Sequence, residues 1–366
     1  MKICLAMIGR NEAHCLQRML DTALPFVDCF AFVDTGSTDG TQELVMDQKI
    51  RHTILDAPWT DFATARTRAL RFAESSHNLS PSDWILMVDC DDMLVWPGER
   101  GDEGGVRGQF RAILEKSICS GFRVQVRHAE ITYLRQILFR ADGTWRYRCP
   151  LHEFPARCGL ELTANQTLPF PVYQMIGGGD RSQNPDKYAR DADMLVIELD
   201  RLRQEGKSGP DFDLIPRVLF YLAQSYRDAG NHVMAWRTYL LRSMESGGYQ
   251  QERYVSALEL SKLTEHVRGG HLMARESSEY WLRRAFYLDP TRIEAPFWLA
   301  KSLAGAHDRA EGDGDDLEQA FLWANLAAGM VPQEGALFGQ HECYEWAKNL
   351  RQLLLQRMLL NNDKTG

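Results

Sequence analysis

The sequence has little of what a membrane or secreted protein needs. A membrane-spanning helix takes about 20 consecutive apolar residues, and no such run occurs among the 366 residues. The apolar opening segment, 1–8, ends at Arg10, Asn11 and Glu12, where a signal peptide would continue with apolar residues and a cleavage site. We therefore interpret this segment as a first strand and expect a cytoplasmic protein without a membrane partner.

Cysteine pairs and excess positive charge are also missing. The eight cysteines are scattered and none forms a C-x-x-C pair, so neither a structural zinc site nor a redox motif is indicated. The formal net charge of −8 argues against a broad surface for nucleic acid, which binds through Lys and Arg. A nucleic-acid partner would need a local basic strip, for which the sequence offers Arg123, Arg127, Arg135, Arg140, Arg146 and Arg148.

The length and the residue pattern indicate two domains. A chain of 366 residues exceeds the roughly 250–300 residues over which one hydrophobic core usually grows. Short apolar runs dominate the first half of the chain, and from residue 186 onward the pattern becomes helical. We predict an α/β domain over 1–200 and an all-α domain over 201–366.

In the first ninety or so residues, short apolar runs alternate with helix-like segments. The runs predict four strands, at 2–8, 29–33, 51–55 and 84–88. Segments 16–23 and 61–75 have the spacing of one apolar helix face. This alternation favours a parallel sheet covered by helices, and such sheets bind ligands beyond the carboxyl ends of their strands.

The later segments have different patterns. Segment 96–108 is rich in glycine and charge and predicts a mobile loop, whereas 121–141 alternates as strands do. Residues 215–246 resemble a tetratricopeptide repeat, and Leu222-Ala223-Gln224-Ser225 recurs as Leu299-Ala300-Lys301-Ser302. We predict about three helix pairs, which either shield the first domain or bind an extended partner.

Three acids follow the fourth predicted strand directly, in Asp89-Cys90-Asp91-Asp92. Crowded carboxylates repel one another unless a cation lies between them, and a hard divalent cation such as Mn²⁺ or Mg²⁺ prefers oxygen ligands. Such an ion would also hold a diphosphate. A solvated acidic turn is the alternative, but the position of the acids at a strand end favours a metal site.

The ends of the first two predicted strands carry further candidates. Asp34, which follows the second predicted strand, could accept hydrogen bonds from a ribose or a base. Arg10 and Glu12 could contact a nucleotide, although Asn11 and Glu12 would equally serve as a helix cap and a first-turn acid. Residues 37–41 are best explained as a capped turn without ligand contacts.

These motifs together resemble those of family 2 glycosyltransferases, which have the GT-A fold. The resemblance also includes Leu151-His152-Glu153, typical of members with C-terminal tetratricopeptide helices, among them peptide glycosyltransferases that modify bacteriocins. Within the first ninety or so residues, four motifs occur in the order and spacing of the family: Ile8-Gly9-Arg10-Asn11-Glu12, Val33-Asp34-Thr35-Gly36-Ser37-Thr38-Asp39-Gly40-Thr41, Phe62-Ala63-Thr64-Ala65-Arg66 and Trp84-Ile85-Leu86-Met87-Val88-Asp89-Cys90-Asp91-Asp92.

The resemblance implies how the donor would be bound. Asp34 would bind the nucleoside, Arg66 would lie near the base or the phosphates, and Asp91 together with Asp89 would hold Mn²⁺ or Mg²⁺. The donor would be a nucleotide diphosphate sugar, with UDP as the commonest carrier in the family. Six residues would contact it: Ile8, Arg10, Asp34, Arg66, Asp89 and Arg181.

The family usually works by inversion, in which an acceptor oxygen or sulfur attacks the anomeric carbon in one displacement. Glu153 would be the general base and His152 would contact substrate or metal, unless the two are a structural pair. Many members place a late histidine near the metal, where this chain has Ile176-Gly177-Gly178-Gly179-Asp180-Arg181. Either Asp180 substitutes for that histidine as a ligand or a base, or the metal relies on Asp91 and water alone.

Other functions fit parts of the pattern. A nucleotidyltransferase or a nucleotide-sugar hydrolase would share the fold. A nucleotidyltransferase normally has a Gly-rich, basic phosphate loop after the first strand, which 7–12 lacks. A non-catalytic repeat adaptor with an inert first domain would not need the acidic cluster. The acceptor stays open: a protein or peptide suits helical repeats, while modified viral DNA, a glycan and a small molecule are alternatives.

Overall fold

The computed structural model describes residues 1–98, 103–129, 131–158, 166–267, 271–309, 315–332, 339–340 and 342–362. The chain forms two compact units, Met1–Lys187 and Tyr188–Gly366. The first is a Rossmann-like α/β unit and the second is a run of helices, which confirms the predicted fold class. The domain boundary after residue 200 stays a prediction.

Four parallel strands form the first half of the sheet. They lie in the order β3-β2-β1-β4, so the first strand is central and is buried along its whole length. The bounds of all four strands agree with the predicted ones within a residue or two at each end. Their bounds are β1 Ile3–Gly9, β2 Cys29–Asp34, β3 His52–Asp56 and β4 Trp84–Met87.

The second half of the sheet is mixed, so the prediction of a parallel sheet holds for the first four strands only. Two long strands, at 121–128 and 131–140, follow each other directly in sequence. They pair antiparallel, as their short connection requires. The further strands are β5 Met93–Val95, β6 Gly121–His128, β7 Ile131–Arg140, β8 Trp145–Arg148, β9 Phe154–Arg157, β10 Gln166–Thr167 and β11 Val172–Gln174.

Within the described residues, nine strands share one sheet. Its order is β3-β2-β1-β4-β7-β6-β11-β5, with β10 beside β6, while β8 and β9 form a separate hairpin. Strand β7 pairs antiparallel with β4, which brings the middle of β7 next to the residues that follow β4. This non-local pairing supplies one of the charged side chains of the site described below.

Helices cover both faces of the sheet. The third helix packs small residues such as Ala65, Ala69 and Ala73 on one face, and the first and fourth pack larger apolar residues on the other. Asp61 begins the third helix by accepting a hydrogen bond from the Thr64 N–H at 2.8 Å. The bounds are α1 Leu16–Ala23, α2 Thr41–Met46, α3 Phe62–Ser76 and α4 Glu103–Lys116.

Helix α4 overturns part of the predicted mobile loop at 96–108. Residues 103–108 are helical, and 99–102 lie outside the described residues. Val106, Phe110 and Leu114 recur at helical spacing and are buried on the sheet. The prediction was wrong because burial of this apolar face outweighs the low helix propensity of the glycines.

The second unit is a sequential stack of helices. From α6 onward each helix packs against the next, and the first two form the predicted pair at 215–246. No helix in the described part of the chain is long and apolar enough to cross a membrane. The bounds are α5 Lys187–Glu205, α6 Ile215–Asp228, α7 His232–Met244, α8 Gln250–Val267, α9 His271–Leu288, α10 Glu294–Asp308, α11 Asp316–Ala328 and α12 Cys343–Asn362.

Candidate functional site

The candidate site lies at the carboxyl ends of β1, β2 and β4. Gly9 and Asp34 are register partners at the ends of β1 and β2. After β4 the chain turns across the end of β1, where the Cys90 thiol donates to the Ile8 carbonyl oxygen at 3.3 Å. Ile8, Asp34 and Asp89, all predicted to bind the donor, therefore lie at one edge of the sheet.

Hydrogen bonds join the loop after β1 to the loop after β2. Asn11, with a left-handed φ of 56°, donates its N–H to Ser37 Oγ at 3.0 Å. Its side-chain oxygen accepts from the Thr38 N–H at 2.8 Å, and Thr41 Oγ1 accepts from the Glu12 N–H at 2.8 Å. These loop contacts of Asn11, Ser37, Thr38 and Thr41 thus shape the site. Arg10, which precedes Asn11, is exposed.

Asp34 keeps one carboxylate oxygen without a protein partner. Its Oδ1 accepts from the N–H groups of Gly36 and Ser37, both at 2.8 Å. Its Oδ2 is buried and has no hydrogen-bond partner among the described residues. Such an unsatisfied buried acceptor costs about 1–3 kcal/mol, so an added N–H or O–H donor at this point would be stabilising.

Arg66 links two carboxylates in the interior of the site. It lies on α3 and is 5% exposed. Its Nη2 donates to Asp89 Oδ1, and its Nε donates to Glu153 Oε1 at 2.6 Å. Its Nη1 is buried and has no hydrogen-bond partner in the described part of the chain. The guanidinium therefore retains N–H groups that a bound oxygen could accept from.

A second guanidinium holds Asp89 from the other side. Arg135, on β7, donates to Asp89 Oδ2 at 2.9 Å, and the Tyr173 hydroxyl lies 3.3 Å from the same oxygen. Burial by itself would raise the pKa of Asp89, but Arg135 and Arg66 outweigh it and hold that pKa well below its usual range. Asp89 is thus a fixed carboxylate whose two oxygens each accept from a guanidinium group.

Sequence reasoning missed the role of Arg135. The sequence places it in a basic strip, but its partner across the sheet, Val124, and Ile137 two residues along β7 belong to the hydrophobic core. A charged residue on an apolar strand face needs a buried partner, and that pattern could have indicated one. Arg140 is also engaged within the protein, because its guanidinium stacks on the Trp84 ring, 4.0 Å from the ring centre. The predicted basic strip is therefore interrupted at Arg135 and Arg140.

The three acids of the cluster have different surroundings. Asp91 Oδ2 accepts from the Gly179 N–H at 3.1 Å. Asp92 is 2% exposed, and its Oδ1 accepts from the N–H groups of Ile176 at 2.9 Å and Gly177 at 3.2 Å. Asp92 is therefore an anchor for the loop after β11, whereas Asp89 belongs to the arginine network.

Glu12 and Asp91 approach the same point beside Gly179. A Cβ built on Gly179 would lie 3.0 Å from Glu12 Oε1 and 3.1 Å from Asp91 Oδ2. Burial raises the pKa of Glu12, and the negative charge of Asp91 adds to the rise. His14 Nε2 lies 2.9 Å from the Gly178 carbonyl oxygen and closes the loop on this side. Two carboxylates thus converge where a cation would reduce their repulsion.

The remaining predicted residues lie around α3 and the loop after β11. His152 is exposed, with a φ of 50°, and the Glu153 side chain is 11% exposed. Asp180 is exposed at the start of a short 3₁₀ turn. The Arg181 guanidinium lies 4.6 Å from the centre of the Phe62 ring, at the start of α3. Their predicted catalytic and donor-binding roles stay predictions.

Replacing Gly9 with Ala should lower the free energy of unfolding by about 1–3 kcal/mol, because the new methyl group would overpack the core. The added Cβ would lie 2.6 Å from Phe32 Cζ and 3.1 Å from Cys90 Sγ. Gly108→Ala is a matched control: its Cβ meets nothing within 4 Å, and within α4 it should stabilise by about 0.5–1 kcal/mol. Chemical denaturation measures both changes, and equal stability of Gly9→Ala and the parent would contradict the close packing of Phe32 and Cys90 against Gly9.

The comparisons with known proteins agree with this two-part architecture. No protein-family model matches the chain. Over 194 residues, 50% of the chain and 44% of the relative, it is 28% identical to a TPR repeat-containing protein of Synechococcus elongatus. Over 93 residues, 25% of the chain and 30% of the relative, it is 31% identical to an uncharacterized glycosyltransferase of Rickettsia felis.

The chain thus spans less than half the length of each of these relatives. It is similar in part to a glycosyltransferase and in part to a TPR repeat-containing protein, while membership of family 2 stays a prediction.

Proposed function

We propose that the chain is a metal-dependent, inverting glycosyltransferase that moves a sugar from a UDP-sugar to a protein or peptide acceptor. The observation that carries the proposal is the convergence of Asp34, Asp89 and Asp91 with Arg66 at the carboxyl edge of β1, β2 and β4. Ligands of open α/β sheets bind at this edge. The partial similarity to a glycosyltransferase supports the same assignment.

The nucleoside would bind at the ends of β1 and β2. The unpartnered Oδ2 of Asp34 would accept a hydrogen bond from the base or the ribose, beside the backbone of Ile8 and the exposed Arg10. Since Asp34 is fully buried, this contact requires the following turn to move. Gly36 has a φ of 110° and open space around it, which suits a turn that changes conformation.

The oxygen donors near Gly179 fit a hard divalent cation. Glu12 and Asp91 offer carboxylate oxygens on two sides of one point, and carboxylates are the ligands that Mn²⁺ and Mg²⁺ prefer. We propose Asp91 as a ligand and Glu12 as its neighbour in the same site. When bound, the cation would supply Lewis-acid stabilisation of the departing diphosphate. The metal role predicted for Asp89 stays a prediction. Both of its oxygens accept from guanidinium groups.

Arg66 and Arg181 would bind the charged part of the donor. The unpartnered Nη1 of Arg66 would donate to an oxygen of the donor, while Nε and Nη2 stay with Glu153 and Asp89. Burial works against the charge of Arg66, but Asp89 and Glu153 outweigh it and raise the Arg66 pKa. Arg66 therefore remains cationic when phosphate oxygens approach.

In the transfer step, an acceptor oxygen or sulfur would form a bond to the anomeric carbon as the bond from that carbon to the diphosphate breaks. The acceptor proton would pass to a carboxylate. We propose Glu153, which Arg66 holds in place through Oε1 at 2.6 Å. Asp180, exposed at the start of its turn, is the second candidate for the base, and His152 would contact the substrate.

The helical unit would recognise the acceptor. Stacked helical repeats present extended surfaces that suit unfolded or elongated chains, and the similarity to a TPR repeat-containing protein covers half of the chain. A protein or peptide acceptor is therefore proposed over modified DNA, which the interrupted basic strip supports less well.

A donor screen tests the proposal. The full chain is incubated with individual nucleotide diphosphate sugars in Mn²⁺ or in EDTA, and nucleotide release is followed, with mass spectrometry of candidate peptide acceptors. We expect one donor to give metal-dependent release and an acceptor mass increase of one sugar. Release that is equal in Mn²⁺ and in EDTA would contradict the metal dependence, and release no faster than without protein for every donor would favour the non-catalytic adaptor.

A further inference from the structure

A second cluster of potential ligands lies at the other end of β1 and β2, away from the candidate site. Cys4 and Cys29 are direct register partners on neighbouring parallel strands. Both belong to the core face that packs against α3, and His77 is the residue that follows this helix. The two sulfur atoms and one imidazole nitrogen all lie within 4.8 Å of one another. The fold thus assembles three residues that are far apart in the sequence.

The imidazole of His77 has the arrangement of a metal ligand. The residue is 1% exposed, and its Nε2 lies 3.0 Å from the Phe30 carbonyl oxygen. Its Nδ1 is buried and has no hydrogen-bond partner in the described ranges. Metal-bound histidines usually donate one ring N–H to a carbonyl or carboxylate and ligate through the other nitrogen.

The two thiols lie side by side across the paired strands, with their sulfur atoms within 4.8 Å of each other. A cation with affinity for sulfur would replace the thiol protons and link the two strands. Cys4 is fully buried and Cys29 is 3% exposed, so the ion would be shielded from water.

We propose that Cys4, Cys29 and His77 form a structural site for a thiophilic d¹⁰ cation, Zn²⁺ or Cu⁺. Two sulfurs and one imidazole suit these ions, and the cluster contains no carboxylate for Mg²⁺ or Mn²⁺. Binding releases the thiol protons to solvent and ties β1, β2 and the end of α3 together. The absence of a C-x-x-C pair hides the site from sequence reasoning, because the ligands meet only through strand pairing.

Metal analysis of the full chain, purified without chelators, tests this site. We expect about one Zn or Cu per chain by mass spectrometry of the elements, which also distinguishes the two ions. After removal of the metal, added Co²⁺ should produce a thiolate-to-metal charge-transfer band, which oxygen ligands do not give. Stoichiometric metal without such a band would place the ion elsewhere and overturn the proposal, as would a chain that binds neither ion.

Variants locate the ligands. Cys4→Ser, Cys29→Ser and His77→Gln should each weaken Co²⁺ binding by at least about 10–100-fold. That loss is already typical when a residue that only hydrogen-bonds to a metal ligand is replaced. Cys119→Ser removes another buried thiol and should leave the band unchanged. Asp91→Ala should also leave it unchanged, which separates this site from the proposed catalytic one. If a ligand variant does not fold, X-ray absorption of the metal-loaded parent decides, with two sulfurs and one nitrogen expected and an all-oxygen shell refuting the site.

Discussion

Asp91→Ala should lower sugar transfer by at least about 100-fold while leaving the fold intact. The loss of one preorganised electrostatic contact to the transition state costs about 10²–10³ in kcat, and Asp91 is the proposed ligand of the cation that would hold the diphosphate. The structural loss should be small, because the Asp91 side chain accepts one described hydrogen bond, from the Gly179 N–H at 3.1 Å. A bond of this kind contributes about 0.5–1.5 kcal/mol.

Nucleotide release at saturating donor measures this effect, together with thermal unfolding of the same preparation. Asp21→Ala is the matched control, since Asp21 is exposed on α1 and accepts from Gln17 Nε2 at 2.6 Å. We expect the control to keep its turnover. Full turnover in folded Asp91→Ala would exclude metal-assisted transfer at this position.

Arg66→Ala should destabilise the α/β unit by about 3–5 kcal/mol, the usual loss when one partner of a buried ion pair is removed. The substitution leaves Glu153 without its guanidinium partner and Asp89 with Arg135 alone. Both carboxylates are largely shielded from water, with side chains 11% and 22% exposed, so solvent replaces the lost contacts poorly. It also removes the proposed donor contact, and activity should fall with stability.

Arg68→Ala is the control for this substitution. Arg68 lies on the same helix, and its guanidinium donates to the Pro58 carbonyl oxygen at 3.2 Å in an exposed position. Its loss should change stability by no more than about 0.5 kcal/mol. Urea unfolding followed by circular dichroism compares the two variants. Losses of similar size at Arg66 and Arg68 would show that the buried network contributes little.

The strand ends of the candidate site could be predicted from sequence because they depend on local patterns. An apolar run bounded by polar residues specifies a buried strand, and an acid directly after it must lie at the carboxyl edge. Asp34 and Asp89 follow from this rule. The same rule gave β1 to β4 within a residue or two, as the structure has them.

The partners of those acids could not be predicted in the same way. Arg135 reaches Asp89 because β7 pairs with β4, and neither segment alone shows that these two strands, far apart in sequence, are neighbours in the sheet. Similarly, Asp91 and Asp92 are neighbours in sequence, yet Asp92 anchors the loop after β11 and Asp91 lies beside Glu12. Chain folding, rather than residue type, gives these acids their different roles.

Calorimetric titration of the chain with nucleoside diphosphates, in Mn²⁺ and in EDTA, tests the central claim most directly. The account predicts that at least one of UDP, GDP, CDP, ADP and dTDP binds much more tightly in Mn²⁺, and that Asp91→Ala removes this difference. Equal affinities with and without Mn²⁺, or an unchanged metal effect in Asp91→Ala, would contradict the assignment of Asp91 to a cation that grips the diphosphate.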